Sequence, residues 1–175
     1  AWNGRDMSDE QIGSAVDHYV FNSPSCGLGK ELINLAKLDQ ITGFNLPNNS
    51  LPWFALFSAQ PEKLPEHLTE QTTIGQMKQG LDWLNELDVK HLSFEKDTCG
   101  NHPEMERRLG IQLSRIGIQH AISLLQPSTQ FPRTDKMNQE LVQEFQDIWL
   151  LRARRGGLHE AVDLLEKALQ KTNRA

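Results

Sequence analysis

Cysteine is scarce in this chain, with only Cys26 and Cys99 among 175 residues. The two lie far apart in sequence, which favours free thiols in a reducing compartment, with one disulfide as the alternative. The chain begins AWNGRDMSDEQ, which contains no signal-peptide pattern and no initiator methionine. We therefore expect a cytoplasmic protein whose sequence was cut from a longer one, a processed or engineered terminus being the alternative.

Long apolar runs and a basic excess are also missing. No stretch approaches the roughly 18 apolar residues that span a bilayer. The chain has 18 Lys and Arg against 23 Asp and Glu, a net charge of -5, so it lacks the basic face typical of nucleic-acid binding. With 38% hydrophobic and 23% charged residues, residues 1–175 are predicted to form one soluble globular domain. We expect no membrane and no nucleic-acid partner.

Alternating strand patterns are absent too, whereas apolar residues recur at helical spacing along most of the chain. Ser8, Ser50 and Thr134 each open a predicted helix, the one at Ser50 being short. The other predicted helices cover about residues 28–41, 72–87, 103–125 and 158–171. The sequence thus predicts an all-α array of about six mostly antiparallel helices with short loops and no sheet.

Metal and cofactor motifs are sparse. CGNH places Cys99 and His102 at a spacing that can bind zinc, but a closed zinc site needs four ligands and no second pair exists. There is no glycine-rich phosphate loop and no nucleophile elbow. We therefore predict no catalytic residue, no metal and no cofactor. A small metal-dependent enzyme using Cys99 and His102 remains an alternative.

Two arginine clusters, Arg107-Arg108 and the RARR motif that ends in Arg154-Arg155, raise the possibility of a phosphate-binding patch. Glu144 lies on the same predicted helix as the second cluster, so a solvated face of mixed charge is favoured instead. The glycines that follow, Gly156 and Gly157, are typical of a helix stop, where arginines also interact well with the helix dipole.

Two aromatic features suggest binding surfaces. Trp2 precedes the first helix and is available to pack against something outside the helical array. The segment Trp53-Phe54-Leu56-Phe57 is a second aromatic cluster, and it would form the partner groove if the chain were a self-standing interaction module.

Several stretches, taken in order, resemble one family. They are AWN, AVDHYVF, GLGKELINLAKL, TGFNLPNNSLPWFALF and IWLLRARRGGLHEAVDLL. They look like the segment that follows the catalytic barrel in bacterial family 20 glycoside hydrolases, the β-N-acetylhexosaminidases. The resemblance covers most of the chain and is weakest between Gln60 and Thr134.

This resemblance implies that the chain is the C-terminal helical domain of a longer enzyme. In the family, an Asp-Glu pair of the (β/α)₈ barrel performs the hydrolysis and the substrate's acetamido group is the nucleophile. That pair lies upstream of the matched region, so the chain itself is expected to be non-catalytic. It would support the barrel or a homodimer contact, and it would bind an N-acetylhexosaminide only as part of the longer enzyme.

The resemblance also assigns roles to individual residues. Trp2 falls where the family uses a tryptophan to wall the sugar pocket. The family has an acidic residue shortly after it that hydrogen-bonds sugar hydroxyls, and here the nearest carboxylate after Trp2 is Asp6. The segment with Arg154, Arg155, Gly156 and Gly157 resembles the family's turn between its last two helices, which implies a structural role.

Overall fold

The computed structural model describes residues 7–22, 27–68, 74–90, 102–153 and 155–172. These residues form eight α-helices: α1 Asp9–Tyr19, α2 Leu28–Ala36, α3 Leu38–Thr42, α4 Leu51–Phe57, α5 Ile74–Lys90, α6 His102–Leu125, α7 Asp135–Arg152 and α8 Leu158–Thr172. A 3₁₀ helix, Pro61–His67, follows α4. Within the same residues, the β-type pairing is limited to one antiparallel bridge between Phe44 and Leu68. The predicted all-α class is confirmed, with eight helices in place of about six.

The predicted helix starts are confirmed by their capping hydrogen bonds. The amide N–H of Ser8 donates to the side-chain oxygen of Gln11 at 2.8 Å, and the Gln11 amide donates to the Ser8 hydroxyl at 3.3 Å. This reciprocal pair is a capping box. Ser50 and Thr134 cap α4 and α7 by accepting from amides three residues ahead. Gly43 ends α3 with a φ of 70°, a left-handed conformation that glycine adopts without a steric penalty.

The single helix predicted over about 28–41 is wrong, because the chain divides it into α2 and α3 at Lys37. There the Lys37 amide N–H donates to the Asn34 carbonyl at 3.1 Å, a tight hydrogen bond of the 3₁₀ type. The break buries Leu38 in the core while Leu32 on α2 stays partly exposed. Helical periodicity continues across Lys37, so the pattern alone does not reveal the break.

Helix α6 lies at the centre of the array, with buried apolar residues on both sides. One cluster joins it to α3, α4, α5 and the 3₁₀ helix, and includes Leu38, Phe54, Leu64, Met77, Leu84, Ile118 and Ile122. The other joins it to α4, α7 and α8, and includes Leu56, Ile116, Leu141, Ile148, Val162, Leu165 and Leu169. Because α4 and α6 contribute to both clusters, they form the spine of the fold.

Two glycines allow helices to approach closely. A Cβ added to Gly117 of α6 would lie 2.4 Å from the Pro52 Cα atom of α4. A Cβ added to Gly80 of α5 would lie 2.8 Å from the Thr42 Cγ2 atom of α3. A larger residue at either position would push the helices apart, since interiors are packed at crystal-like density.

Candidate functional site

Helix α1 is attached to α2 mainly through glycines, with Val16 packed beside Gly29. A Cβ added to Gly29 would lie 2.0 Å from the Gly13 carbonyl oxygen, and one added to Gly13 would lie 2.9 Å from the Lys30 nitrogen. The two helices therefore touch backbone to backbone, and neither glycine tolerates a side chain.

A buried carboxylate strengthens this attachment. Asp17 of α1 accepts hydrogen bonds from the Gly27 amide at 3.0 Å and from the Gly29 amide at 2.7 Å. These amides belong to the N-terminus of α2, where N–H groups lack helical partners and the dipole favours negative charge. Asp17 is buried, and sequence patterns did not single it out, because its partners lie 10 and 12 residues ahead.

Part of the apolar stripe of α1 is left uncovered as a result. Ile12 and Tyr19 are seven residues apart and lie on the same side of the helix, whereas the buried residues Gly13 and Asp17 lie about 100° or more around it. Tyr19 is 78% exposed, and Val20, directly after the helix, is 55% exposed. Val16 is partly buried beside Gly29, whereas Ile12, Tyr19 and Val20 are exposed, so the predicted apolar stripe faces the rest of the described chain only in part. We call Met7, Ile12, Tyr19 and Val20 the α1 surface.

A second exposed apolar surface combines α4 and α8. The rings of Trp53 and Phe57 lie 4.4 Å apart, and Trp53 and Leu164 are each 59% exposed. A groove of about 280 Å³ runs beside them, lined by Phe57 and Leu164 with Lys167 and Lys171 at its edge. Of the predicted aromatic cluster, Phe54 and Leu56 belong instead to the core. We call Trp53, Phe57 and Leu164 the α4–α8 surface.

Several residues singled out in the sequence lie outside the described residues. They are Trp2, Asp6, Cys26, Cys99 and Arg154. Among the described residues, no three His, Cys, Asp or Glu side chains are grouped so that they could hold a metal ion.

The turn between α7 and α8 is formed around Gly157. Gly157 has a φ of +78°, and the Leu158 amide donates to the Arg155 carbonyl at 3.2 Å. Arg155 and Gly156 are exposed, and a Cβ added to Gly156 would meet nothing within 4 Å. Reversal of the chain here therefore depends on Gly157 more than on its neighbour.

Arg107 and Arg108, the first arginine cluster, have different surroundings. The Arg107 guanidinium is buried, donates to both carboxylate oxygens of Glu104 at 2.8 Å and contacts the Leu87 carbonyl at 3.3 Å. Arg108 instead lines a groove between α6 and α7 that does not include Arg155. Arg107 and Arg108 therefore do not act as one phosphate-binding pair.

No helix in the described ranges is both long and apolar enough to cross a membrane. The chain matches no family model, no curated protein and no solved structure.

Proposed function

We propose that this chain is the C-terminal helical domain of a cytoplasmic β-N-acetylhexosaminidase-like glycoside hydrolase. In this role it supports the catalytic barrel or a dimer contact that closes the sugar pocket, and it is itself non-catalytic. Trp2 and Asp6 contribute to sugar binding only within the parent. The order of the family-like stretches motivates the proposal, and the uncovered α1 surface is the observation that carries it.

The α1 surface supports a covering domain because exposed apolar patches mark sites where another surface packs. Its members run along α1 from Met7, just before the helix, to Val20, just after it. The glycine contact, the Asp17 hydrogen bonds and Val16 fix α1 on α2. Helix α1 is thereby held in place with Ile12 and Tyr19 exposed, where a second domain would contact them.

The mass of the native polypeptide tests this proposal. An immunoblot of the source cells with antibody against this chain is expected to show a band several-fold heavier than 19.9 kDa. The pure chain is expected to leave an aryl N-acetylglucosaminide intact. A sole band at 19.9 kDa in protease-deficient cells, or hydrolysis by the pure chain, would count against the proposal.

A self-standing interaction module is the second candidate, and the α4–α8 surface favours it. Paired variants separate the two candidates. Ile12→Ser with Tyr19→Ser should lower the melting temperature of the longer polypeptide and leave that of the isolated chain nearly unchanged, because the stripe is uncovered in the latter. Trp53→Ser should leave both unchanged. If the Ile12 and Tyr19 substitutions leave both melting temperatures unchanged and only the Trp53 variant loses partner binding, the interaction module is favoured instead.

A further inference from the structure

A groove of about 660 Å³ runs between α6 and α7 and is also lined by the connecting segment 130–133. Its volume falls in the range of small-molecule sites. The apolar part of its lining includes the buried residues Ile116 and Leu141 together with Phe131 and Met137. Met137 is 46% exposed.

One wall of the groove is a row of hydrogen-bond donors on α6. Arg108, Gln112, Arg115 and Gln119 all line it, at spacings of four, three and four residues. These spacings place the side chains on one face of a helix. The connecting segment adds Gln130 and Arg133. Three arginines from two separate segments therefore line the groove.

The arginines differ in how far their donors are already used. Arg115 donates through Nη2 to Asn85 and Asp88 of α5, at 3.1 and 3.3 Å, and its unpartnered Nε is buried, so it is not available to a ligand. Arg133 donates through Nε to Asn138 at 3.0 Å and has no carboxylate partner among the described residues. Burial lowers the pKa of the Arg133 guanidinium, since desolvation disfavours its charged form. An oxyanion at this point would offset that desolvation.

The opposite wall carries Glu140 and Glu144 of α7. Glu140 is paired with Lys136 at 3.7 Å, with both side chains exposed. These carboxylates would repel a nucleic-acid backbone that followed the groove, in agreement with the negative net charge of the chain. They accept hydrogen bonds, so they suit hydroxyl or ammonium groups.

We propose that this groove binds a small molecule that carries a carboxylate or phosphate group toward Arg108 and Arg133 and hydroxyl or ammonium donors toward Glu140 and Glu144. Arg108 is exposed, whereas the Arg115 guanidinium is held by Asp88 of α5. The proposal does not depend on the proposed function, because it uses only side chains of α6, α7 and their connection.

Titration of the ¹⁵N-labelled chain tests the site with three probes: glucose 6-phosphate, inorganic phosphate and glucose. We expect saturable shifts of groove amides with glucose 6-phosphate, weaker shifts with phosphate and none with glucose. Arg133→Gln and Arg108→Gln should each weaken glucose 6-phosphate binding about tenfold, and the control Arg155→Gln, outside the groove, should not. Arg108 is exposed, so its variant keeps the test valid if Arg133→Gln unfolds the chain.

Glu144→Gln is expected to strengthen binding of inorganic phosphate a few-fold, because it removes a like charge from the groove. Three results would overturn the proposal: no saturable shift by about 10 mM ligand, shifts unaffected by both groove variants, or equal weakening by Arg155→Gln.

Discussion

The carboxylate of Asp17 accepts a hydrogen bond from the Gly29 amide at 2.7 Å, and the two residues hold α1 against α2. A similar relationship recurs further along, where the Asp39 carboxylate accepts from the Leu51 amide at 2.9 Å. In each pair the aspartate caps a helix that begins about ten residues later, and the two bonds each span 12 residues. The free N–H groups at helix starts in this fold thus find hydrogen-bond acceptors on a preceding helix as well as in local caps.

Asp17→Ala should destabilise the chain by about 3 kcal/mol, because two amide N–H groups at the start of α2 lose their acceptor in a buried position. Urea unfolding measures the change. Asp9→Ala is the matched control. Its ion pair with Lys37, at 3.2 Å, is solvent-exposed, so its loss should cost about 0.5 kcal/mol or less. Equal costs for the two variants would contradict the capping role.

Gly29→Ala should cost about 3 kcal/mol or prevent folding, because the added Cβ would lie 2.0 Å from the Gly13 carbonyl oxygen, which is backbone and has no room to move alone. Thermal unfolding of the purified variant checks this. Gly110→Ala serves as a control on α6, since its nearest contact would be the Leu35 side chain at 3.4 Å. A Gly29→Ala protein as stable as the Gly110 variant would show that α1 and α2 are less closely packed.

Local signals predicted much of this fold. Ser8, Ser50 and Thr134 mark helix starts through bonds to near neighbours, and the chain begins those helices as expected. Asp17 and Asp39 were missed because their hydrogen bonds join residues that only the tertiary fold brings together.

The surfaces were harder to predict than the helices. The spacing of Ile12 and Tyr19 shows which side of α1 is apolar but carries no information on what covers it. The α6–α7 groove was missed because Arg108 and Arg133 come from separate segments. The roles that the resemblance gave to Trp2 and Asp6 remain predictions.

His120 should make stability depend on pH. Burial, with a smaller contribution from Lys171, lowers the pKa of this α6 imidazole below its usual value of 6.5. Below about pH 6.5 the unfolded chain binds a proton that the folded chain does not, so stability falls as the pH drops from about 6.5 toward the folded pKa. Urea unfolding between about pH 8 and pH 5 measures this slope. His120→Gln should reduce it, while His159→Gln, an exposed control, should retain it.

The two glycines between α7 and α8 should respond differently to alanine. Gly157→Ala places a side chain at a φ of +78°, which should cost about 1 kcal/mol. Gly156→Ala should change the free energy of unfolding by less than about 0.5 kcal/mol, because a Cβ there meets open space. Urea unfolding of both variants gives the comparison, and a larger loss at Gly156 would contradict the turn geometry.

Asp39 should show the opposite pH behaviour from His120. Burial raises the pKa of its carboxyl above 3.8, and the Leu51 hydrogen bond only partly offsets this. The charged form is therefore disfavoured in the folded chain, so the contribution of Asp39 is greatest below about pH 3.8 and is lost as the pH rises through the folded pKa.

Asp39→Asn keeps an oxygen acceptor for the Leu51 amide and carries no charge. Its stability relative to the unsubstituted chain should improve as the pH rises from about 3 to 7. Asp39→Ala removes the acceptor and should be destabilised by about 1 kcal/mol at pH 3, where the carboxyl is neutral in both states. Paired urea unfolding curves at the two pH values measure both effects. An asparagine variant that loses relative stability on going to pH 7 would mean that the Leu51 hydrogen bond outweighs desolvation at this helix start.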